Sequence, residues 1–283
     1  MSKKRWLAWV STSRKKTMNA KIEMRGVEKN YSSAQGRVHA LEDINLTVED
    51  GEFLCILGPS GCGKSTLLRI LAGLNQQSAG EVTVHKTLNH NRPENAVVFQ
   101  EYAIFPWRTV RDNVSFGLEM RGAPKEEREK RTTQYLAKVG LMQFADHYPY
   151  QLSGGMKQRV ALARAMASDP EVLLMDEPFG ALDAQTRSVL QEELLRIWED
   201  EKKTVVYVTH SIEEAIVLGD RVALMTARPG RIKNIYPVNL PRPRHLELRV
   251  TPEYTRLAQT LWEDLVDEVN KVMLADGEGH GSG

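Results

Sequence analysis

The 283-residue chain has only two cysteines, no apolar run long enough to span a bilayer, no internal repeat and almost no net charge. Each scarcity removes a class. Cys55 and Cys62 cannot build a disulfide framework in a chain of this length, so a reducing compartment fits. A membrane span needs about 18 consecutive apolar residues, so whatever the chain does at a membrane is expected to pass through a partner. With 38 basic and 37 acidic residues the formal charge is +1, which gives no nucleic-acid footprint. What is present is an ordinary globular mixture, 41% hydrophobic and 27% charged, ample for a core.

The charge is unevenly placed. Residues 1–22 carry seven basic residues and no acid, leaving 31 basic and 37 acidic residues, or −6, for the rest. Trp6–Val10 is too short for a signal-peptide core. This stretch reads as a solvated basic tail or as sequence ahead of a start at Met18. Weak attraction to anionic lipid, helped by Trp6 and Trp9, is the sharper alternative.

After the tail, Lys21–Val27 and Val38–Val48 read as strands, and Phe53–Leu57 is a short apolar run that stops at a glycine-rich loop. Leu67, Leu68, Leu71 and Leu74 then recur at helical spacing. Ala96–Phe99, Val172–Met175, Val205–Thr209 and Val222–Thr226 read as strands, alternating with helices at Ala184–Glu201 and Ile212–Leu218. That alternation predicts an α/β fold with a mainly parallel sheet. The mainly helical stretch of about residues 101–170 interrupts it and reads as an inserted subdomain. Arg228–Gly230 is a turn, Pro241–Pro243 a linker, and Tyr254, Leu257, Leu261 and Leu265 mark a C-terminal helix.

Three motifs carry chemistry. Gly58-Pro59-Ser60-Gly61-Cys62-Gly63-Lys64-Ser65-Thr66 fits G-x-x-x-x-G-K-[ST] between a strand and a helix. Its glycines let backbone N–H groups curl around phosphate oxygens, with Lys64 reaching the terminal phosphates and Ser65 holding Mg²⁺. Cys62 reads as a small neutral filler and Cys55 as a core residue. Val172–Met175 ends in Asp176 and Glu177, 112 residues after Lys64. A buried parallel strand delivers carboxylates at its C-terminal edge, with successive side chains on opposite faces. Asp176 suits a metal's shell and Glu177 an attacking water. Ser153 then caps a helix at Leu152-Ser-Gly-Gly, a second helix N-terminus able to take an anion.

With these motifs in this order, residues 20–235 resemble the ATP-binding subunits of ABC transporters. The Leu-Ser-Gly-Gly stretch looks like that family's signature, with Met156 where many members have glutamine. The resemblance implies a P-loop ATPase core with a mainly parallel sheet, an antiparallel β subdomain and the inserted helical subdomain. The expected organisation is a tail at residues 1–18, one ATP-binding domain at 19–240, and a linker and helix at 241–283. ATP and Mg²⁺ are the implied cofactors. Tyr31 is similar to the residue that stacks on adenine. Ser65, Gln100 and Asp176 are implied as Mg²⁺ ligands, Glu177 as general base, and His210 as the γ-phosphate contact. Ser153, Gly154, Gly155, Lys157 and Gln158 are implied to meet the ATP of an opposite subunit, towards which Asp183 crosses. A homodimer is therefore expected.

Gln100 is also implied to sense a membrane permease, for which Phe105, Pro106 and Trp107 would form a docking groove. Pro106–Val110, Val208–Ala215 and Thr226–Arg231 resemble blocks of importers of nitrate, sulfonate, taurine and related anions. The implied setting is the cytoplasmic face of the cell membrane, with an extracytoplasmic binding protein acting through the permease and no nucleic-acid partner. About 46 residues follow Pro237, too few for the regulatory domain of sugar or sulfate importers. Exporter, lipid-handling and soluble ATPases of the family are the alternatives.

Overall fold

The computed structural model describes residues 20–33, 36–87, 92–244 and 246–278. The expected basic tail, residues 1–18, lies outside them, as do residues 279–283.

Phe53–Leu57 (β3) is buried along its whole length and lies inside the main sheet. It pairs in parallel with Thr204–Thr209 (β7) on one side and Arg221–Met225 (β8) on the other. Beyond β7 come Val172–Asp176 (β6) and Asn95–Val98 (β5), also parallel. A strand covered on both faces has no polar face, which is why β3, residues 172–175 of β6 and residues 205–208 of β7 are continuous apolar runs. Side chains still alternate. Phe53, Cys55 and Leu57 enter a core shared with the helices, and Leu54 and Ile56 enter a second core on the other face. Each large side chain fully buried in this way contributes roughly 1.5–3 kcal/mol.

The second core is closed by Lys64–Leu71 (α1) and by an antiparallel three-stranded sheet. In it Ala20–Ser33 (β1) lies between Gly36–Glu49 (β2) and Ala79–Val84 (β4). The first core is closed by Val110–Met120 (α2), Lys125–Lys138 (α3), Gly154–Ala167 (α4), Ala184–Glu201 (α5) and Ile212–Leu218 (α6). The helices α2, α3 and α4 pack on one another, so the insertion foreseen at residues 101–170 has its own helical contacts.

Two strands were not foreseen. Sequence reading left Ala79–Val84 unassigned, and Ile232–Pro237 (β9) adds an antiparallel edge beside β8. Both are only partly buried, so neither shows the continuous apolar run of the strands covered on both faces. Pro241–Pro243, expected as a linker, is pinned to the domain instead. Arg242 donates to Asp220 and the Leu218 carbonyl and lies over the Trp198 ring at 4.3 Å. Arg244 is 4% exposed and donates to the carbonyls of Ile216, Val217, Gly219, Val238 and Leu240. It thereby caps α6 and ties it to the chain after β9. The final helix, Pro252–Glu278 (α7), sends Leu261 and Leu265 into the same core.

Arg244→Ala should therefore leave several buried carbonyls without donors and cost roughly 3 kcal/mol. A thermal melt should show this as a drop of several degrees; an unchanged midpoint would remove Arg244 from the account of how α6 is held.

Candidate functional site

The site is assembled by register. Leu57 at the end of β3 lies opposite Thr209 of β7, and Val208 lies opposite Asp176 of β6. All three strands run the same way, so the loops after them open on one edge. The glycine loop, Asp176–Glu177 and His210 meet there, although the loop is more than a hundred residues ahead of the other two in sequence. Gln100, just beyond β5, joins them.

The loop between β3 and α1 has the form a phosphate cradle needs. Gly63, the N-cap of α1, has φ +108°, and a Cβ there would lie 2.7 Å from Leu41 and 2.9 Å from the Ala40 carbonyl. Only glycine fits. Lys64 is 5% exposed, and its ammonium donates to the Gly58 and Pro59 carbonyls at 2.9 and 3.0 Å. It is held curled over the loop, 3.8 Å from Glu177 Oε1. Cys62 is buried, and that burial pushes its thiol up, as expected of a neutral filler rather than a nucleophile. Cys55 is likewise a neutral core residue.

Ser65 Oγ donates to Asp176 Oδ1 at 2.8 Å. Burial raises the Asp176 carboxyl above its ordinary range, with the Glu177 charge acting in the same direction and the Ser65 hydroxyl opposing it. A serine hydroxyl, a carboxylate and the Gln100 amide form a hard oxygen donor set. Such a set fits Mg²⁺, which binds through one or two protein oxygens and otherwise phosphate and water. No cluster of three or more His, Cys, Asp or Glu side chains able to hold a metal occurs among the described residues.

Glu177 occupies the left-handed region at φ +43°. Its N–H donates to the Val208 carbonyl at 3.0 Å, and its carbonyl accepts from Gly180 at 3.0 Å. These bonds hold a backbone shape that a non-glycine residue adopts at a cost of order 1–3 kcal/mol. The carboxylate is thereby aimed at His210, whose Nδ1 lies 2.9 Å from Oε2. An ionised carboxylate only accepts, so Nδ1 is the donor.

The resulting pocket is about 460 Å³. Ser60, Gly61, Gly63, Lys64, Ser65, Thr66, Gln100 and Glu177 line it, and Tyr31 stands at its mouth, 39% exposed. Tyr31 is fixed from behind, its hydroxyl accepting from Asn75 and its ring carrying Lys29 at 4.9 Å. Three lining residues escaped sequence reading: Val38, Ala40 and Arg228. Arg228 belongs to the Thr226–Arg231 block, whose likeness to importers was the only signal it gave.

Ser153, Gly154 and Gly155 do not line this pocket. Ser153 caps α4, accepting from the Met156 N–H at 3.3 Å, and its side chain is exposed. Asp183 caps α5 and is also exposed; the Thr186 N–H it accepts lowers its pKa. Lys157 is partly exposed. Gln158 is a correction. It is 1% exposed, turned into the core of the chain, so its side chain is not on the surface that could meet another subunit's nucleotide.

The apolar segment after Gln100 divides in two. Val110, Val114 and Leu118 are fully buried in the insertion's own core, while Trp107 is 72% exposed. Phe105 packs on Phe116 and Trp107 at centroid distances of 4.5 and 5.6 Å. Buried Asn113 holds this turn by accepting from the Phe105 N–H and donating to the Phe105, Arg108 and Thr109 carbonyls. Pro106 is exposed beside Trp107.

The ABC transporter family profile matches residues 41–180. The chain is 42% identical over 247 residues to the nitrate import ATP-binding protein NrtD of Synechocystis sp., spanning 85% of this chain and 93% of that protein. It is 47% identical over 233 residues to the bicarbonate transport ATP-binding protein CmpD of Synechococcus elongatus, spanning 81% and 84%. Its fold is similar to that of an ATP-binding cassette solved as a dimer in a post-hydrolysis state with ADP and Pi. That match has a TM-score of 0.68 and 35% identity, and covers 77% of this chain and 99% of the other.

Lys64→Ala removes the only lysine that lines the pocket among the described residues. Affinity for a fluorescent ATP analogue should fall at least tenfold, the scale of a charge-assisted phosphate contact; unchanged affinity would contradict the phosphate-cradle reading.

Proposed function

Because the chain belongs to the ABC transporter family of ATP-binding proteins, we propose that it powers the import of a small anion such as nitrate, a sulfonate or taurine. ATP hydrolysis coupled to transport is the family's activity. The importer reading draws on the nitrate and bicarbonate relatives and on the Pro106–Val110, Val208–Ala215 and Thr226–Arg231 blocks. The observation that carries the chemistry is the convergence of Lys64, the Ser65–Asp176 pair and the Glu177–His210 pair on one sheet edge.

In this reading the loop's N–H groups and Lys64 bind the triphosphate, and Tyr31 receives the adenine. Lys64 exchanges its two carbonyl partners for phosphate oxygens. Ser65, Asp176 and Gln100 would hold Mg²⁺, which when bound supplies charge neutralisation at the phosphates. Glu177 accepts a proton from water as that water attacks the γ-phosphorus, while the bond from that phosphorus to the β,γ-bridging oxygen breaks and ADP is the leaving group. His210 orients the carboxylate through its Oε2, leaving Oε1 towards Lys64 and the incoming phosphate. Positioning and electrostatics dominate phosphoryl transfer, so a stiff, pre-aimed carboxylate is what this step requires.

One chain supplies half of such a site. Ser153 and the N–H groups of Gly154 and Gly155 open α4 with a positive helix end that faces no nucleotide of its own. A second copy, head to tail, would place that end over the γ-phosphate, with Lys157 beside it and Asp183 crossing between chains. ATP then joins two surfaces of like partial charge, and its hydrolysis lets them separate.

Work passes out through Gln100 and the turn after it. Trp107 and Phe105 are the aromatic anchors for a short helix of a membrane permease. Among the described residues no helix is long and apolar enough to cross a membrane. The chain's place at the cytoplasmic face would therefore depend on that permease, through which an extracytoplasmic binding protein delivers cargo. In this reading residues 19–240 form the ATP-binding domain, and the segment from 241 onwards braces it through Arg242, Arg244 and Glu268.

Glu177→Gln should keep ATP binding and cut turnover by at least about a hundredfold, the scale of a lost general base; rapid multiple turnover by that variant would sink the assignment. A tagged chain, extracted from its native host in mild detergent, should bring down a multi-span permease identifiable by mass spectrometry. Recovery of ribosomal or DNA-repair proteins instead would overturn the importer reading and leave the ATPase chemistry standing.

A further inference from the structure

We infer that Arg228 is a positioning residue of the nucleotide site, and that α7 sets nucleotide affinity through it. The inference rests on reading residues 58–66 as the triphosphate cradle.

A phosphate cradle works only while its N–H groups point inwards, and so while its carbonyls point outwards. Outward carbonyls need donors. Gly61 is the weak point of this loop, since with φ +73° and no side chain its peptide has little to keep it from turning. Arg228 supplies the restraint. Its Nε and Nη2 donate to the Gly61 carbonyl at 3.2 and 3.0 Å, two bonds from a planar fork onto one oxygen. Arg228 also lines the nucleotide pocket itself, so its positive charge lies at the rim where the phosphates would enter.

The segment that carries Arg228 is tied down on two sides. Gly230 donates to the Ala40 carbonyl and accepts from the Glu42 N–H, both at 3.0 Å, which joins it to β2 beside the pocket wall. No side chain could replace Gly230, because a Cβ there would lie 2.2 Å from the Cys62 carbonyl. On the other side the Ala227 N–H donates to Glu268 Oε2 of α7 at 3.0 Å. Glu268 is 1% exposed and also takes Lys233 at 3.1 Å and Lys271 at 2.7 Å. Behind the loop lies a second cavity of about 830 Å³, reaching from Ser60, Gly61 and Arg228 to Glu268 and Lys271. Ser60, Gly61 and Arg228 form the wall common to both cavities. The path from α7 to the cradle is thus Glu268, Ala227, Arg228, Gly61. The Thr226–Arg231 block, which the ATPase chemistry leaves without a task, has one here.

The test is equilibrium binding of a fluorescent ATP analogue to the full-length chain, with thermal melts beside each titration. Wild type and Lys64→Ala come first. Failure of the wild type to bind would sink the cradle reading on its own, before Arg228 is touched. Given wild-type binding, Arg228→Ala should weaken it about tenfold, as loss of a two-bond charged contact does. Arg228→Lys, which keeps the charge but not the fork, should recover part of the loss. In steady-state turnover the loss should fall on KM for ATP more than on kcat. Glu268→Ala, which removes a group lining no part of the nucleotide pocket, should weaken binding in the same direction by roughly threefold. Glu268→Gln, which keeps an acceptor for Ala227, should lie between that variant and wild type. Arg228→Ala binding the analogue as tightly as wild type would overturn the inference. Glu268→Ala and Glu268→Gln that melt earlier but bind normally would overturn the part given to α7.

Discussion

The parallel register of β3, β6 and β7 is the constraint on which the rest depends. Parallel strands put their C-terminal ends on one edge, and the pairing of Leu57 with Thr209 and of Asp176 with Val208 fixes how far each loop projects. A shift of one residue along β6 would send Asp176 to the opposite face and exchange the roles of the two acids. The register is set by burial on both faces of the sheet. Phe53, Cys55 and Leu57 belong to one core and Leu54 and Ile56 to the other, so any slip would misplace both sets at once.

On that edge the groups restrain one another before any nucleotide arrives. Lys64 is bonded to the carbonyls of its own loop, Ser65 to Asp176, and His210 to Glu177. Asp176 is 7% exposed, and that burial raises its pKa. A cation beside it would offset that penalty, since an opposite charge favours the ionised carboxylate. Glu177 differs in kind. Its backbone sits in a conformation seldom adopted outside glycine, held by Val208 and Gly180, so the direction of its side chain is built into the chain.

The molecule around this edge is organised as layers of support. The antiparallel sheet holds Tyr31, Val38 and Ala40 at the pocket mouth. The helical insertion carries Ser153 on a capped helix and Trp107 on a turn wound about Asn113. The chain after β9 binds back through Arg242, Arg244 and Glu268. These three anchors make the C-terminal segment part of the scaffold rather than an appendage, and Glu268 brings it within two residues of a group that touches the phosphate loop.

Much of this was legible in the amino-acid sequence because its signals are local. A glycine loop between a strand and a helix, an apolar run ending in two acids, and a serine heading a helix each declare themselves within ten residues. The family, the mainly parallel sheet, the helical insertion and the residues of the glycine loop follow from them. Other features left no local trace. β4 and β9 are too exposed to carry the apolar run that marks the buried strands. Gln158 follows the signature as though it shared its surface, yet the turn of α4 carries it inwards. The sequence by itself determined the family and its ATP-hydrolysing activity, since that chemistry is written in residue types and short spacings. Only the tertiary structure decided that Arg228 and Glu268 stand behind the phosphate loop, because their link runs through a carbonyl, a backbone N–H and the docking of a helix. The two bonds that make it, Arg228 to Gly61 and Ala227 to Glu268, each join residues far apart in sequence.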